Sequence, residues 1–196
     1  LQDGTTVGIT GFSYNKRAEI NARIEEYSNK NNQFDFQIGM LHGSMDGLKS
    51  SEAHYAPFTM TQLLGKNYDY WALGHIHKRQ TLNESPIVAY SGNTQGRHIN
   101  ESGPRGISLV TIDQQGSTAV QFLRTDVVEW VDVEMTVQKG MDLNQIIRIV
   151  IQIIEPLEAQ QLKLININLL DSNVLDADIL EELGNGLILS QIQKQL

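Results

Sequence analysis

The stretch "WALGHIHKRQ", residues 71–80, places two histidines, His75 and His77, one residue apart. An apolar run, "YDYWAL", precedes them, and Gly74 stands directly before the first. The apolar run is the composition of a buried strand of a parallel sheet. If the pair continues that extended segment, residues i and i+2 lie on one side, so both imidazoles point the same way. Neutral imidazole is the commonest metal ligand. A pair spaced this way can reach one ion or two neighbouring ones. The alternative is a pair of surface or hydrogen-bonded core histidines.

A second stretch sharpens the first. "FDFQIGMLHG", residues 34–43, reads as another buried strand, and it delivers His42 and Gly43 at its C-terminal end. Open α/β sheets hold their ligands outside the carboxyl ends of strands. Three of the chain's five histidines, His42, His75 and His77, are therefore expected to converge on one sheet edge.

The surrounding chain supplies the frame. "TTVGITGFSY" reads as a strand, and "NKRAEINARIEEYSNK", residues 15–30, as a helix that Asn15 could cap. "FTMTQLLGKN" reads as a short helix ended by Gly65. Past Arg79 the runs "RQTLN", "PIVAYS", "GISLVTID" and "TAVQFLRT" are short, β-like and separated by turn residues. A boundary is placed after residue 127. Beyond it come a strand in "DVVEWVDVEM" and a helix with an apolar face at Ile146, Val150, Ile153, Ile154 and Leu157, broken near Pro156. A strand, "LKLININLLD", and a short acidic helix, "LDADILEELGNG", follow; the tail is ambiguous.

Composition narrows the function. The 196 residues contain no cysteine, which excludes disulfides and thiolate metal sites and fits a reducing, cytoplasmic setting. The longest apolar run, "IIRIVIQII", is too short and too interrupted to span a bilayer. The net charge of −8 does not suggest an autonomous nucleic-acid binder. It is unevenly spread: residues 131–196 carry 4 Lys/Arg against 10 Asp/Glu, and residues 1–130 carry 11 against 13. If the protein handles DNA, the first part must do it; the acidic part suits a protein partner. Near the histidines a local basic cluster gathers Lys78, Arg79, Arg97, His98 and Arg105, the last three in the Gly/Asn/Pro-rich loop 92–106. It reads either as a contact to the DNA backbone or as a solvated loop in which Arg97 pairs with Glu101.

"GHIH" behind an apolar strand, with an upstream strand ending "LHG", resembles the last two metal-binding motifs of the calcineurin-like metallophosphoesterases. "YDYWALGHIHKRQ" followed by "PIVAYSGNTQGRHINESGPRGISLVTID" resembles the SbcD-like, YhaO-type DNA repair exonucleases of that superfamily. The resemblance covers residues 34–125 well and the rest loosely. It implies an α/β (α+β) fold: the second half of a two-sheet sandwich flanked by helices over residues 1–127, with a small α/β capping domain over 128–196. It implies that His42 and His75 bind one ion and His77 its neighbour, in a pair of manganese ions that activate water for phosphodiester hydrolysis. The implied partners are DNA and an SbcC-like coiled-coil ATPase subunit.

The family's Asp-x-His, Gly-Asp-x-x-Asp and Gly-Asn-His-Asp/Glu motifs, which supply the carboxylate ligands and the catalytic histidine, are absent. In family order they precede residue 1, and the chain has no leading Met. The expectation is a C-terminal piece of a manganese-dependent exonuclease subunit. By itself it would be inactive, with weak or no metal binding, and it would need its own N-terminal half or a second copy to cover exposed sheet. Other expectations kept open are a metallophosphoesterase acting on a phosphoprotein or cyclic nucleotide, and a non-catalytic scaffold.

Overall fold

A computed structural model describes residues 1–195 apart from 2, 15, 17, 49–53, 114 and 158–161. The chain forms two compact units, Leu1–Gln95 with Arg105–Asp126, and Gly96–Pro104 with Val127–Leu196. Residues 96–104 therefore group with the second unit, although they precede residue 127 in sequence.

The first unit is built on a five-stranded sheet. Strands β1 (Val7–Gly11), β2 (Phe36–His42), β3 (Tyr70–Gly74) and β5 (Ile87–Tyr90) run parallel, and β4 (Gln80–Glu84) lies antiparallel to β5 at the edge. The spatial order is β1-β2-β3-β5-β4. Helix α1 (Met60–Leu64) connects β2 to β3. Thr59 and Gln62 close its start as a reciprocal capping box, the Gln62 N–H donating to Thr59 Oγ1 at 3.2 Å and the Thr59 N–H to Gln62 Oε1 at 2.8 Å. A hairpin, β6 (Gly106–Ile112) with β7 (Thr118–Arg124), completes the unit.

Period-two alternation divides the sheet into two apolar faces. On one, Leu41, Trp71, Leu73, Val88 and Tyr90 pack with Ile24, Tyr27, Phe58, Leu63 and Tyr68. Trp71 is fully buried, stacked on Tyr68 at 4.9 Å between ring centres and tilted against Tyr27 at 5.3 Å. On the other, Tyr70, Ile87 and Ala89 pack with Ile38, Ala72 and the hairpin residues Val110 and Val120. That second face stays open near β1, where Ile9 is 65% and Met40 53% exposed.

The helix expected over residues 15–30 does not form. The described part of that segment is irregular apart from one turn of 3-10 helix, Ile24–Glu26, and Asn15 lies outside the described residues. The predicted stripe was too thin to hold a helix: Ile20 is 74% exposed, and only Ile24 and Tyr27 reach the core.

In the second unit β8 (Val128–Thr136) pairs in parallel with β9 (Leu162–Leu170). Helix α2 (Leu143–Ile154) connects them, with Asp142 and Gln145 as its capping box, and it stops two residues before Pro156. Two more helices, α3 (Ala177–Gly184) and α4 (Leu187–Gln193), follow. The core is Met135, Val137, Ile146, Ile147, Val150, Leu175, Ile188 and Ile192. No helix among the described residues is long and apolar enough to cross a membrane.

Candidate metal centre

His42 is the last residue of β2, and His75 follows directly on the end of β3, its neighbour in the sheet. The register pairs His42 with Gly74, so the two strand ends arrive side by side. The two imidazoles lie edge to face, 5.3 Å between ring centres. Gly74 makes room for this meeting, because a Cβ there would stand 3.1 Å from His42 Nδ1. His77 joins the group electrostatically: its charge, like that of His75, acts on His42.

The extended geometry assumed for "GHIH" is not what the chain adopts. β3 ends at Gly74, and His75 has φ of +102°. A non-glycine residue held there is strained, and such strain collects at functional positions. The intervening Ile76 is 5% exposed and belongs to the main core, while both histidines are half-buried. A buried anchor between two polar neighbours thus fixes the segment, in place of strand alternation.

Two tyrosines absent from the sequence reading complete the surroundings. Tyr55 stacks on His75 at 5.4 Å and meets His42 edge-on at 5.4 Å. Tyr14 packs edge-on against Tyr55 at 5.3 Å, and its hydroxyl donates to the His42 carbonyl at 2.7 Å. Neither carries a local sequence signal; they reach the histidines only through tertiary folding. Below them, the buried Tyr90 hydroxyl donates to the Gly43 carbonyl at 2.7 Å and accepts from the Met45 N–H at 3.2 Å. Burial pushes the Tyr90 phenol up to about 12, so it remains a donor at any working pH.

Partial burial of its ring, followed by the charges of His75 and His77, holds His42 below the usual imidazole range. His42 is therefore neutral at neutral pH, the form that ligates metal. His42 and His75 suit two positions of one ligand shell. Among the described residues, however, no three His, Asp or Glu side chains are gathered so as to hold an ion. The fit is to part of a metal site.

The basic residues divide between the units. Lys78 and Arg79 follow His77 in the first unit and are exposed, the Arg79 guanidinium lying 5.4 Å from the Phe122 ring centre. Arg105, also in the first unit, is buried at 8% exposure. Arg97 and His98 belong to the second unit. There the buried Glu101 carboxylate accepts from the Arg97 N–H at 2.8 Å and lies 3.8 Å from the Arg97 guanidinium and 3.6 Å from His98 Nε2. The pairing of Arg97 with Glu101 considered from sequence is thus present. His54 lies on the surface, 3.4 Å from Asp46.

No family model matches the sequence. Over 145 residues, 72% of this chain, it is 41% identical to a protein of Bacillus subtilis (strain 168) named "Uncharacterized metallophosphoesterase YhaO". That similarity supports the metallophosphoesterase superfamily. The mixed α/β architecture agrees with such a fold. The chain spans 34%, about a third, of the length of this relative.

Proposed function

We propose that this chain is part of a metal-dependent phosphodiesterase, and specifically of a manganese-dependent DNA repair exonuclease subunit that works with an SbcC-like coiled-coil ATPase. The observation that carries the reading is the meeting of His42 and His75 at the ends of adjacent parallel strands, with His77 close enough to act on His42. The similarity to a protein named as a metallophosphoesterase supports the phosphoester class. The exposed Lys78 and Arg79, directly after His77, suit an anionic backbone.

In this reading His42 and His75 serve one ion and His77 a second. When bound, such a pair supplies an activated water and a clamp on the phosphate. The chain's own residues orient the imidazoles: Tyr55 against His75, Tyr14 on the His42 carbonyl, Ile76 as the anchor between the two histidines of "GHIH". Three neutral imidazoles do not offset the charge of two divalent ions. In this reading the carboxylate ligands come from outside this chain, which by itself is expected to be inactive.

The test is degradation of linear duplex DNA in the presence of manganese, by this chain and by a longer protein that contains it, each beside a His77→Ala control. Degradation by the longer protein that vanishes in its control supports the reading. Manganese binding by the longer protein without degradation, while other phosphoesters are cleaved, overturns the DNA assignment. Absence of both binding and hydrolysis favours the scaffold.

A further inference from the structure

Arg105 stands in the "GPRG" stretch of a loop whose composition suggests a solvated surface. Its position is otherwise. The residue is 8% exposed, and its Nη1 donates to the main-chain carbonyl of His77 at 2.6 Å. The same carbonyl accepts from the Asn93 N–H at 3.1 Å. Gly92, at φ of +73°, lies close against both: a Cβ there would fall 2.9 Å from the His77 oxygen and 2.7 Å from the Arg79 nitrogen.

Arg105 is itself pinned. Its carbonyl accepts from the N–H groups of Thr125 at 3.0 Å and Asp126 at 3.3 Å. The Asp126 carboxylate, 3% exposed, is held in turn by Arg124 at 2.7 Å. The guanidinium therefore reaches from the base of the β6–β7 hairpin to the segment between β3 and β4. No strand ladder runs through His77, because β3 ends at Gly74 and β4 begins at Gln80.

We infer that Arg105 is a positioning residue for His77: its buried guanidinium grips the His77 carbonyl and so sets where the second histidine of "GHIH" stands relative to His42 and His75. It does not serve as a contact to phosphate. A charge-assisted bond from a guanidinium is about twice as strong as a neutral one and fixes direction as well as distance. Lys78 and Arg79, both exposed, stay available to an anion. The inference rests on the reading of His77 as a metal ligand.

The experiment is nuclear magnetic resonance on the isotopically labelled 196-residue chain, with Arg105→Gln and Arg105→Lys beside the unaltered sequence. Two signals are followed: the His77 carbonyl carbon shift without metal, and the broadening of the three histidine ring signals by trace Mn2+. In Arg105→Gln the carbonyl shift should move. Mn2+ broadening of His77 should fall by about tenfold relative to His42 and His75, the low end of what outer-shell partners contribute to metal sites. Arg105→Lys, which keeps the charge and a donor, should recover part of both. Signals of His77 unchanged in Arg105→Gln overturn the inference. So does an Arg105 Nε–H signal that shifts on titration with inorganic phosphate while His77 stays put.

Absence of broadening at all three rings in the unaltered chain agrees with the weak or absent metal binding expected of it, and the carbonyl shift then decides alone, because it still reports the Arg105 bond. If Arg105→Gln loses its folded methyl spectrum, Arg105→Lys decides. A moved His77 carbonyl with core methyls in place supports the inference, and an unmoved one overturns it.

Discussion

Two strand–helix–strand segments of this chain are built alike and end differently. In β2–α1–β3 and in β8–α2–β9, parallel neighbours are connected through a helix opened by a reciprocal capping box, Thr59 with Gln62 in one and Asp142 with Gln145 in the other. The first buries an aromatic core and stops in chemistry: β2 ends in His42, and β3 leads straight into His75. The second buries an aliphatic core and stops in Thr136 and Leu170. Its polar side chains instead bind one another in mid-strand, the amides of Asn166 and Asn168 both donating to Asp132. The topology places residues at the carboxyl ends of parallel strands; only the side chains there decide whether a site results.

The comparison is tested most severely in the two cores. Trp71→Ala removes the largest fully buried side chain of the first unit and should cost about 3–5 kcal/mol. Ile146→Ala in α2 should cost about 2–5 kcal/mol. Urea unfolding gives both values. The sharper readout is the set of histidine ring signals under native conditions. Trp71→Ala should perturb His42 and His75, because Leu41 and Leu73, next to the strand ends, share its core. Trp71→Phe should recover much of the stability, since the buried indole N–H finds no hydrogen-bond partner among the described residues.

A smaller effect is expected beneath the site. Tyr90→Phe leaves the shape of the core but strips a donor from the Gly43 carbonyl and an acceptor from the Met45 N–H. Unsatisfied buried groups of this kind cost about 1–3 kcal/mol. Denaturant midpoints at fixed slope check it; a change below the lower figure would show that the "LHG" turn is held by other means.

Sequence and structure agree where one signal sufficed and part where a contact was needed. The strand ending at His42 is legible because "FQIGMLH" is a mostly apolar run, although Met40 and His42 are exposed in the fold, and α1 and α2 because their caps and apolar residues coincide. The helix over 15–30 failed because Ile20 satisfies a period without having a surface to bury against. Positive φ at His75 has no signature in a non-glycine residue, so strand alternation was extended one step too far. Tyr14 and Tyr55 lie 28 and 13 residues from His42 and could not be linked to it by spacing. Arg105 is the opposite case: a loop rich in glycine and proline looks solvated, yet this side chain is buried and bonds the His77 carbonyl.

The smallest effect expected is also the most specific to the strand ends. His42 has its imidazole pKa depressed, first by burial of the ring and then by His75 and His77. Below its ordinary value of 6.5 the unfolded chain takes up a proton that the folded chain resists. Proton uptake therefore favours unfolding, and stability should fall as pH drops through and below that value. It should be level with respect to this group at higher pH. Urea midpoints without added metal should decline between about pH 7 and pH 5, and decline less in His42→Asn. Other groups titrate in that window in both proteins, so the difference between the two curves is the measurement that isolates His42. Parallel curves would mean that the histidines at the ends of β2 and β3 stand too far apart, or too wet, to sense one another. The feature that most separates the first strand pair from the second would then be lost.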